Sequence, residues 1–304
     1  FFGEPVRGRP SSITRGIPHC FRVFMFDSDY NSIIVSVSSD IGAAMGARFL
    51  GRGWSVRGTY RTPGPHIEPL AKAGARLVPC DLAVTASVNE ACAQLKSGPN
   101  WDVLVLGAGD IRPIGTFGDV DFEDWDRSLT VNFTSQLRVV HELLPCRNLR
   151  NGRVPTVLFF AGGGTNNATS QCSAYTISKI ALMKMCELLD AEYPDTKFVI
   201  LGPGWVRTKI HGAMFEAGER AGEAWKRTVD RFESGDFVPM DTVLDSCDWA
   251  ITAPRSAVGG RNFSTAFDAW RDPGLLPVLI GDSSLGKLRR HGNDRIAKPA
   301  GVQP

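Results

Sequence analysis

The sequence predicts an α/β protein in three layers, α/β/α, built on a doubly wound parallel sheet. Two observations carry that expectation. From residue 32 onward, short apolar runs alternate with longer helical patterns. The runs are nearly continuous in apolar residues instead of alternating with polar ones, which is how strands covered on both faces read. Strand–helix–strand repetition with right-handed crossovers then gives an open parallel sheet with helices on both sides. At 304 residues and 43% apolar composition, the chain can bury a substantial core in one large domain.

The elements follow in order. Residues 32–37 (SIIVSV) read as the first strand. Residues 41–53 read as a helix with Ile41, Met45, Phe49 and Leu50 near one face, ending at Gly53. Strands are expected at 55–60, 75–80 and 102–107, and a long helix at 122–144, stopping before Pro145. A fifth strand at 156–161, a helix at 173–192 and a sixth strand at 197–202 follow. A helix at 239–251 and a last strand with its loop within 259–270 complete the pattern. No internal repeat or linker divides it. The expected organisation is one domain over 25–285, an N-terminal extension over 1–24 and a polar, basic C-terminal tail over 286–304. The first methionine is Met25. The arginines of the extension also admit a targeting peptide, although no helical amphipathicity accompanies them.

Composition excludes several functions. Net charge is +2 with both signs interspersed, so neither a nucleic acid nor a membrane is an expected partner. No apolar run is long enough to span a bilayer. The seven cysteines (Cys20, Cys80, Cys92, Cys146, Cys172, Cys186, Cys247) form no CxxC and no Cys/His cluster with ligand spacing. They read as reduced thiols of a cytoplasmic protein, with no metal site.

In open parallel sheets, ligands bind beyond the carboxyl ends of the strands. After strand 1, residues 36–42 (SVSSDIG) form a strand-to-helix turn. A nucleotide phosphate needs backbone N–H groups, small residues and hydroxyls there. Ser36, Ser38, Ser39, Asp40, Ile41 and Gly42 offer part of that set, with Ser36 and Asp40 standing where glycines would make the tightest turn. After strand 2 comes Arg61. An acid at this place would bind ribose hydroxyls, whereas an arginine suits a 2′-phosphate, so NADP(H) is expected over NAD(H). After strand 3, Asp81 and Leu82 can meet an adenine or cap a helix. After strand 4, Gly107, Ala108 and Gly109 let backbone pass close to a ring or ribose. Asn132, an amide in the middle of the long helix, bonds either into the core or through a water to a lysine.

The fifth strand is followed by SAYTISK (173–179). Tyr175 and Lys179 are i and i+4 on one helix, so their β-carbons lie about 5–6 Å apart on one face. An ammonium beside a phenol favours the phenolate and would bring the tyrosine towards working pH as a general acid/base. After strand 6 comes PGWVRT (203–208), where Pro203 and Gly204 open a turn, Thr208 can meet a carboxamide, and Val206 is counted with them among the cofactor-binding residues.

Taken in this order, SVSSDIG, YR, CDL, GAG, Asn132, Tyr175-x-x-x-Lys179 and PGWVRT resemble the short-chain dehydrogenase/reductases over about residues 30–265. The resemblance implies a Rossmann-type fold, hydride transfer between a nicotinamide and a carbonyl or alcohol, and a homodimer or homotetramer. By it, Tyr175 would be the proton donor or acceptor. Lys179 would bind the ribose and lower the tyrosine pKa, and Asn132 would support the lysine through water. Three positions depart from the family's pattern. The serine expected after strand 5 is Gly162, beside Ala161. The asparagines usual after strand 4 are Leu106 and Gly107, and the first glycine of the phosphate turn is Ser36. Thr165, Ser170 or Ser173 would have to supply the absent hydroxyl. Losing one oriented donor typically costs about 10²–10³ in rate without abolishing the reaction.

Substrate contacts are expected from Gly162, Thr165 and Trp205, and more broadly from residues 205–236, where His211, Met214, Phe215 and Trp225 serve equally as lid packing. Asn166 and Asn167 are either polar specificity residues or a turn. The leading reading is an NADP(H)-dependent oxidoreductase of a small carbonyl or alcohol. The alternatives are a silent NADP(H)-binding sensor or scaffold, and a sugar epimerase or dehydratase.

Overall fold

The computed structural model describes residues 29–150 and 152–292. The extension expected over 1–24 lies outside the described residues. Seven strands form one sheet: β1 (Asn31–Val35), β2 (Ser55–Tyr60), β3 (Arg76–Pro79), β4 (Val103–Leu106), β5 (Thr156–Phe160), β6 (Lys197–Gly202) and β7 (Arg261–Ser264). Their order is β3-β2-β1-β4-β5-β6-β7, and every neighbouring pair is parallel. The order reverses between β1 and β4, which opens a crevice at their carboxyl ends.

The intervening helices are α1 (Asp40–Gly51), α2 (Ile67–Lys72), α3 (Thr85–Lys96), α4 (Phe122–Leu129), α5 (Ser135–Leu143), α6 (Ser173–Glu192), α7 (Gly212–Ala217), α8 (Glu223–Ser234), α9 (Met240–Thr252), α10 (Arg255–Val258) and α11 (Leu275–Gly281). The two-residue period of the strands sorts their side chains into two cores. Ile34, Val103, Val105, Leu158 and Val199 face Met45 and Phe49 of α1 and Trp249 of α9. Ile33, Leu104, Leu106, Val157, Phe159 and Ile200 face Val88 and Leu95 of α3, Val139 and Leu143 of α5, and Leu182 and Cys186 of α6. Both faces are apolar because both are covered. Across the first layer, Asp248 of α9 accepts from Arg48 at 2.9 Å and from Arg52 at 2.6 Å, tying α9 to α1. Lys197 is buried and donates to the carbonyls of Ile251 and Ala253 at the end of α9, and burial pushes its ammonium down to about 7.

Two expectations needed revision. The helix expected over 122–144 is interrupted by one π turn at Thr130–Thr134, which holds Asn132. Apolar spacing carries no mark of one extra residue in a turn. The tail expected from 286 is docked where it is described. Gly286 accepts from the Asn262 N–H at 2.7 Å, Leu288 packs on the α6 side of the sheet, and Arg289 bonds Glu187 at 2.7 Å. A basic run reads as solvated until an acid on another helix is known to face it.

Candidate active site

The turn after β1 forms with serine in place of glycine. Ser36 takes a left-handed φ of 63°, a conformation that usually calls for glycine. Ser39 caps α1: its hydroxyl accepts from Gly42 N–H at 3.1 Å and donates to Ser36 O at 2.8 Å. Gly42 has no alternative, since a β-carbon there would lie 2.6 Å from Ser36 O. Asp40 opens the helix. Its carboxylate accepts from the Lys209 N–H at 2.8 Å and lies 3.5 Å from His66 Nε2.

A cleft of about 180 Å³ runs over this turn. Of the residues expected to hold a cofactor, Ser36, Ser38, Ser39, Arg61, Asp81, Leu82, Ala108 and Gly109 line it. Ile41 and Gly42 lie within α1 and do not line the cleft; neither does Gly107, whose N–H bonds Val35 O at 3.0 Å. Arg61 is exposed and has no hydrogen bond or ion pair among the described residues. Asp81 does not cap α3, whose preceding residue is Val84. Its carboxylate turns the chain by accepting from Ala83 N–H at 2.9 Å. Thr59, Thr62, Cys80, Asp110, Val131 and Lys209 also line the cleft and were not read from the sequence. For Lys209 a signal existed: a cation directly after Thr208 in the turn beyond β6.

Tyr175, Lys179 and Gly162 gather beside this cleft. Lys179 is buried and donates to Ala108 O at 3.2 Å. A β-carbon built on Gly109 would sit 3.8 Å from Lys179 Nζ and 3.7 Å from Ile210 Cδ1, so Gly109 is the wall between cleft and lysine. The Tyr175 ring lies 5.7 Å from the same ammonium. The phenol pKa does not fall as expected. Protein packed around it disfavours the phenolate and pushes it up to about 12, and the same burial brings Lys179 down to about 8.

Of the two uses expected of Asn132, its side chain shows the bonding into its protein surroundings. Its Oδ1 accepts from Asp110 N–H at 2.8 Å, and its Nδ2 donates to Asp110 O at 2.7 Å and Ser128 Oγ at 3.1 Å. The amide is spent on the Asp110 backbone and the Ser128 hydroxyl. It anchors the loop whose Ala108 carbonyl holds Lys179, so it acts on the lysine through protein bonds. The π turn sets this arrangement.

At position 162 there is no room for a side chain with the tyrosine where it stands. A β-carbon at 162 would lie 2.8 Å from Tyr175 Cε1, 2.9 Å from Tyr175 Oη and 2.9 Å from Lys179 Cγ. The tyrosine leans into the space a serine side chain would occupy. Thr165 turns away: it donates to Met183 Sδ at 3.4 Å and lines a separate cavity with Asn166, Asn262 and Lys287. Ser173 accepts from Trp125 Nε1 at 2.9 Å, and Ser170 is exposed. The substrate role expected of Thr165 therefore has no support in its position.

Beyond β6, Pro203, Gly204, Val206 and Thr208 begin a strap and do not line the cleft. Trp205 stacks on His211 at 5.3 Å, and His211 Nε2 bonds Val206 O at 2.9 Å, so both aromatics brace the strap. Burial pulls His211 below its ordinary value, keeping it neutral. Ala213, Met214, Ala217 and Ala221 pack with Ile114 and Cys172 and with part of Trp225.

These residues fit a nicotinamide dinucleotide. The cleft offers an unpaired arginine, small residues over a helix start, and a glycine wall beside a buried lysine. Because Lys179 would donate to ribose as an ammonium, cofactor affinity should be flat below pH 8 and fall about tenfold per unit above it. Titrations from pH 6.5 to 9.5 check this; a Lys179→Met variant should be weak and lack the inflection.

The short chain dehydrogenase family model matches residues 31–218, more than half of the chain. C-signal of Myxococcus xanthus is 35% identical over 116 residues, covering 36% of this chain and 69% of that protein. An oxidoreductase of Schizosaccharomyces pombe is 29% identical over 116 residues, 38% of this chain and 46% of the relative, so the chain spans under half of that protein. A short chain dehydrogenase of Aspergillus terreus is 26% identical over 208 residues, 67% of this chain and 42% of the relative. Among solved structures, a short chain dehydrogenase/reductase from Saccharomyces cerevisiae superimposes with a TM-score of 0.68 at 22% identity, over 82% of this chain and 98% of that one. An actinorhodin polyketide ketoreductase with NADPH gives 0.66 at 22% identity, over 78% and 97%. Sequence match, strand order and the placement of the tyrosine–lysine pair agree: the chain belongs to the short-chain dehydrogenase family.

Proposed function

We propose that this protein is an NADP(H)-dependent oxidoreductase of a small carbonyl or alcohol, with Tyr175 as general acid/base. The observation that carries the proposal is the wall shared at Gly109, with a buried lysine and a tyrosine on one side and a cleft ending at an unpaired arginine on the other. A bound nicotinamide supplies or accepts the hydride. Tyr175 gives its proton to the substrate oxygen during reduction and takes one during oxidation. Lys179 holds the ribose and stabilises the phenolate that reduction leaves behind. Asn132 and the Asp110 loop keep Lys179 in place through Ala108. Arg61 reads the 2′-phosphate.

Fluorescence titration with NADPH and NADH tests the proposal. NADPH should bind at least about tenfold more tightly than NADH, and Arg61→Ala should remove that preference while sparing NADH, since a charge-assisted bond to phosphate is worth about 1.5–3 kcal/mol. Equal affinity for both cofactors in the wild type would overturn the NADP(H) assignment.

One observation favours a second reading, a nicotinamide-binding protein without turnover. The Tyr175 hydroxyl has no hydrogen-bond partner among the described residues, and the residue beside it, Gly162, carries no side chain. Tyrosine-dependent turnover of any member of a carbonyl panel would exclude it.

A further inference from the structure

We propose that Lys209 is a second cationic ligand for the cofactor, meeting the pyrophosphate across the turn after β1; this rests on the dinucleotide reading above. The turn as built is short of positive charge. It carries no lysine or arginine, and its Asp40 places a carboxylate at the first position of α1, beside where a pyrophosphate would lie. A dianionic group brought there is repelled unless a cation offsets the acid. The strap beyond β6 brings one. Lys209 lines the same cleft, and its backbone N–H is held by Asp40 at 2.8 Å, which fixes the root of its side chain over the turn. Its ammonium donates to Ser38 O at 2.8 Å, a neutral acceptor, and no carboxylate among the described residues lies within 4.0 Å of it. An ammonium bonded only to a carbonyl has two further donors for a ligand. Arg61 at the end of β2 is likewise unpaired and lines the same cleft. The two cations suit a ligand with phosphate at two places along its length. Lys209 would serve the pyrophosphate, common to both nicotinamide dinucleotides, and Arg61 the 2′-phosphate of one.

The division of labour gives the test. NADPH and NADH are titrated against the full chain as wild type, Lys209→Met, Lys209→Gln and Lys209→Arg, with a melting curve for each. Lys209→Met should weaken both cofactors by a similar factor, on the order of tenfold or more. Lys209→Gln can still donate to Ser38 O but lacks charge, so it should bind as weakly as the methionine variant. Lys209→Arg should stay within a few-fold of wild type. Wild-type affinity should fall more steeply with added KCl than that of the methionine variant. Three results would overturn the proposal. They are full binding by Lys209→Met, recovery by Lys209→Gln (which would make Lys209 a strap clamp), and loss confined to NADPH (which would move it to the 2′-phosphate). Should the methionine variant melt early, the arginine and glutamine variants decide, provided both melt as wild type does: both keep a donor at the end of the side chain, and only arginine keeps the charge. Wild-type protein that binds neither cofactor would remove the dinucleotide reading itself and this inference with it.

Discussion

Tyr175→Phe is expected to lower turnover by about 10²–10⁴-fold while leaving NADPH affinity within about twofold. On the proposed mechanism the phenol moves the proton to and from the substrate oxygen. Two of the hydroxyls considered as substitutes have other partners among the described residues. Ser173 is committed to Trp125, and Thr165 faces Met183. Burial, with a phenol pKa of about 12, also gives the direction of the pH response. A group whose pKa is raised stays protonated through neutral pH, so it is ready as an acid for reduction. Oxidation needs the phenolate, so its rate should rise with pH, and the rise should vanish in Tyr175→Phe. Steady-state rates in both directions, measured from pH 6 to 10, check this. A phenylalanine variant as active as wild type would remove Tyr175 from the mechanism.

Gly162→Ala is expected to cost on the order of 10²-fold in turnover, a large effect for a single methyl group. The new β-carbon would approach Tyr175 Oη and Lys179 Cγ to 2.9 Å, inside contact distance, so both residues must move. Misplacing a proton donor by about an ångström can cost that much in rate. Gly162→Ser causes the same displacement but adds a hydroxyl that can orient a substrate oxygen, which is worth roughly 10²–10³. The serine variant should therefore exceed the alanine variant and approach or pass wild type. The ratio of the two isolates the hydroxyl. An alanine variant with wild-type rates would show that Tyr175 does not occupy this space during turnover.

The parallel sheet covered on both faces was legible in the sequence because strands buried on both sides read as continuous apolar runs. Ile33 and Ile34 read as one apolar run, and the structure sends them to opposite layers. The Tyr175–Lys179 pair was legible because four residues on a helix fix a shared face. Ser39 and Gly42 were legible because a capped helix start has local chemistry. Arg61 was found by position, as the residue that a strand end presents.

Tertiary structure decided the rest, wherever two segments distant in sequence meet beyond the strand ends. Asp40 and Lys209 are 169 residues apart, and no spacing rule brings a strap over a turn. The π turn at Thr130–Thr134 redirected Asn132 onto Asp110, though the apolar stripe on either side reads as one helix. The direction of Thr165 depended on the path of a loop with no repeating pattern. Gly162 is the clearest case. Read alone, it is a missing hydroxyl; in the fold, it is the space into which Tyr175 leans. Sequence records which side chains avoid water. Which polar groups end up touching is settled only when the loops close.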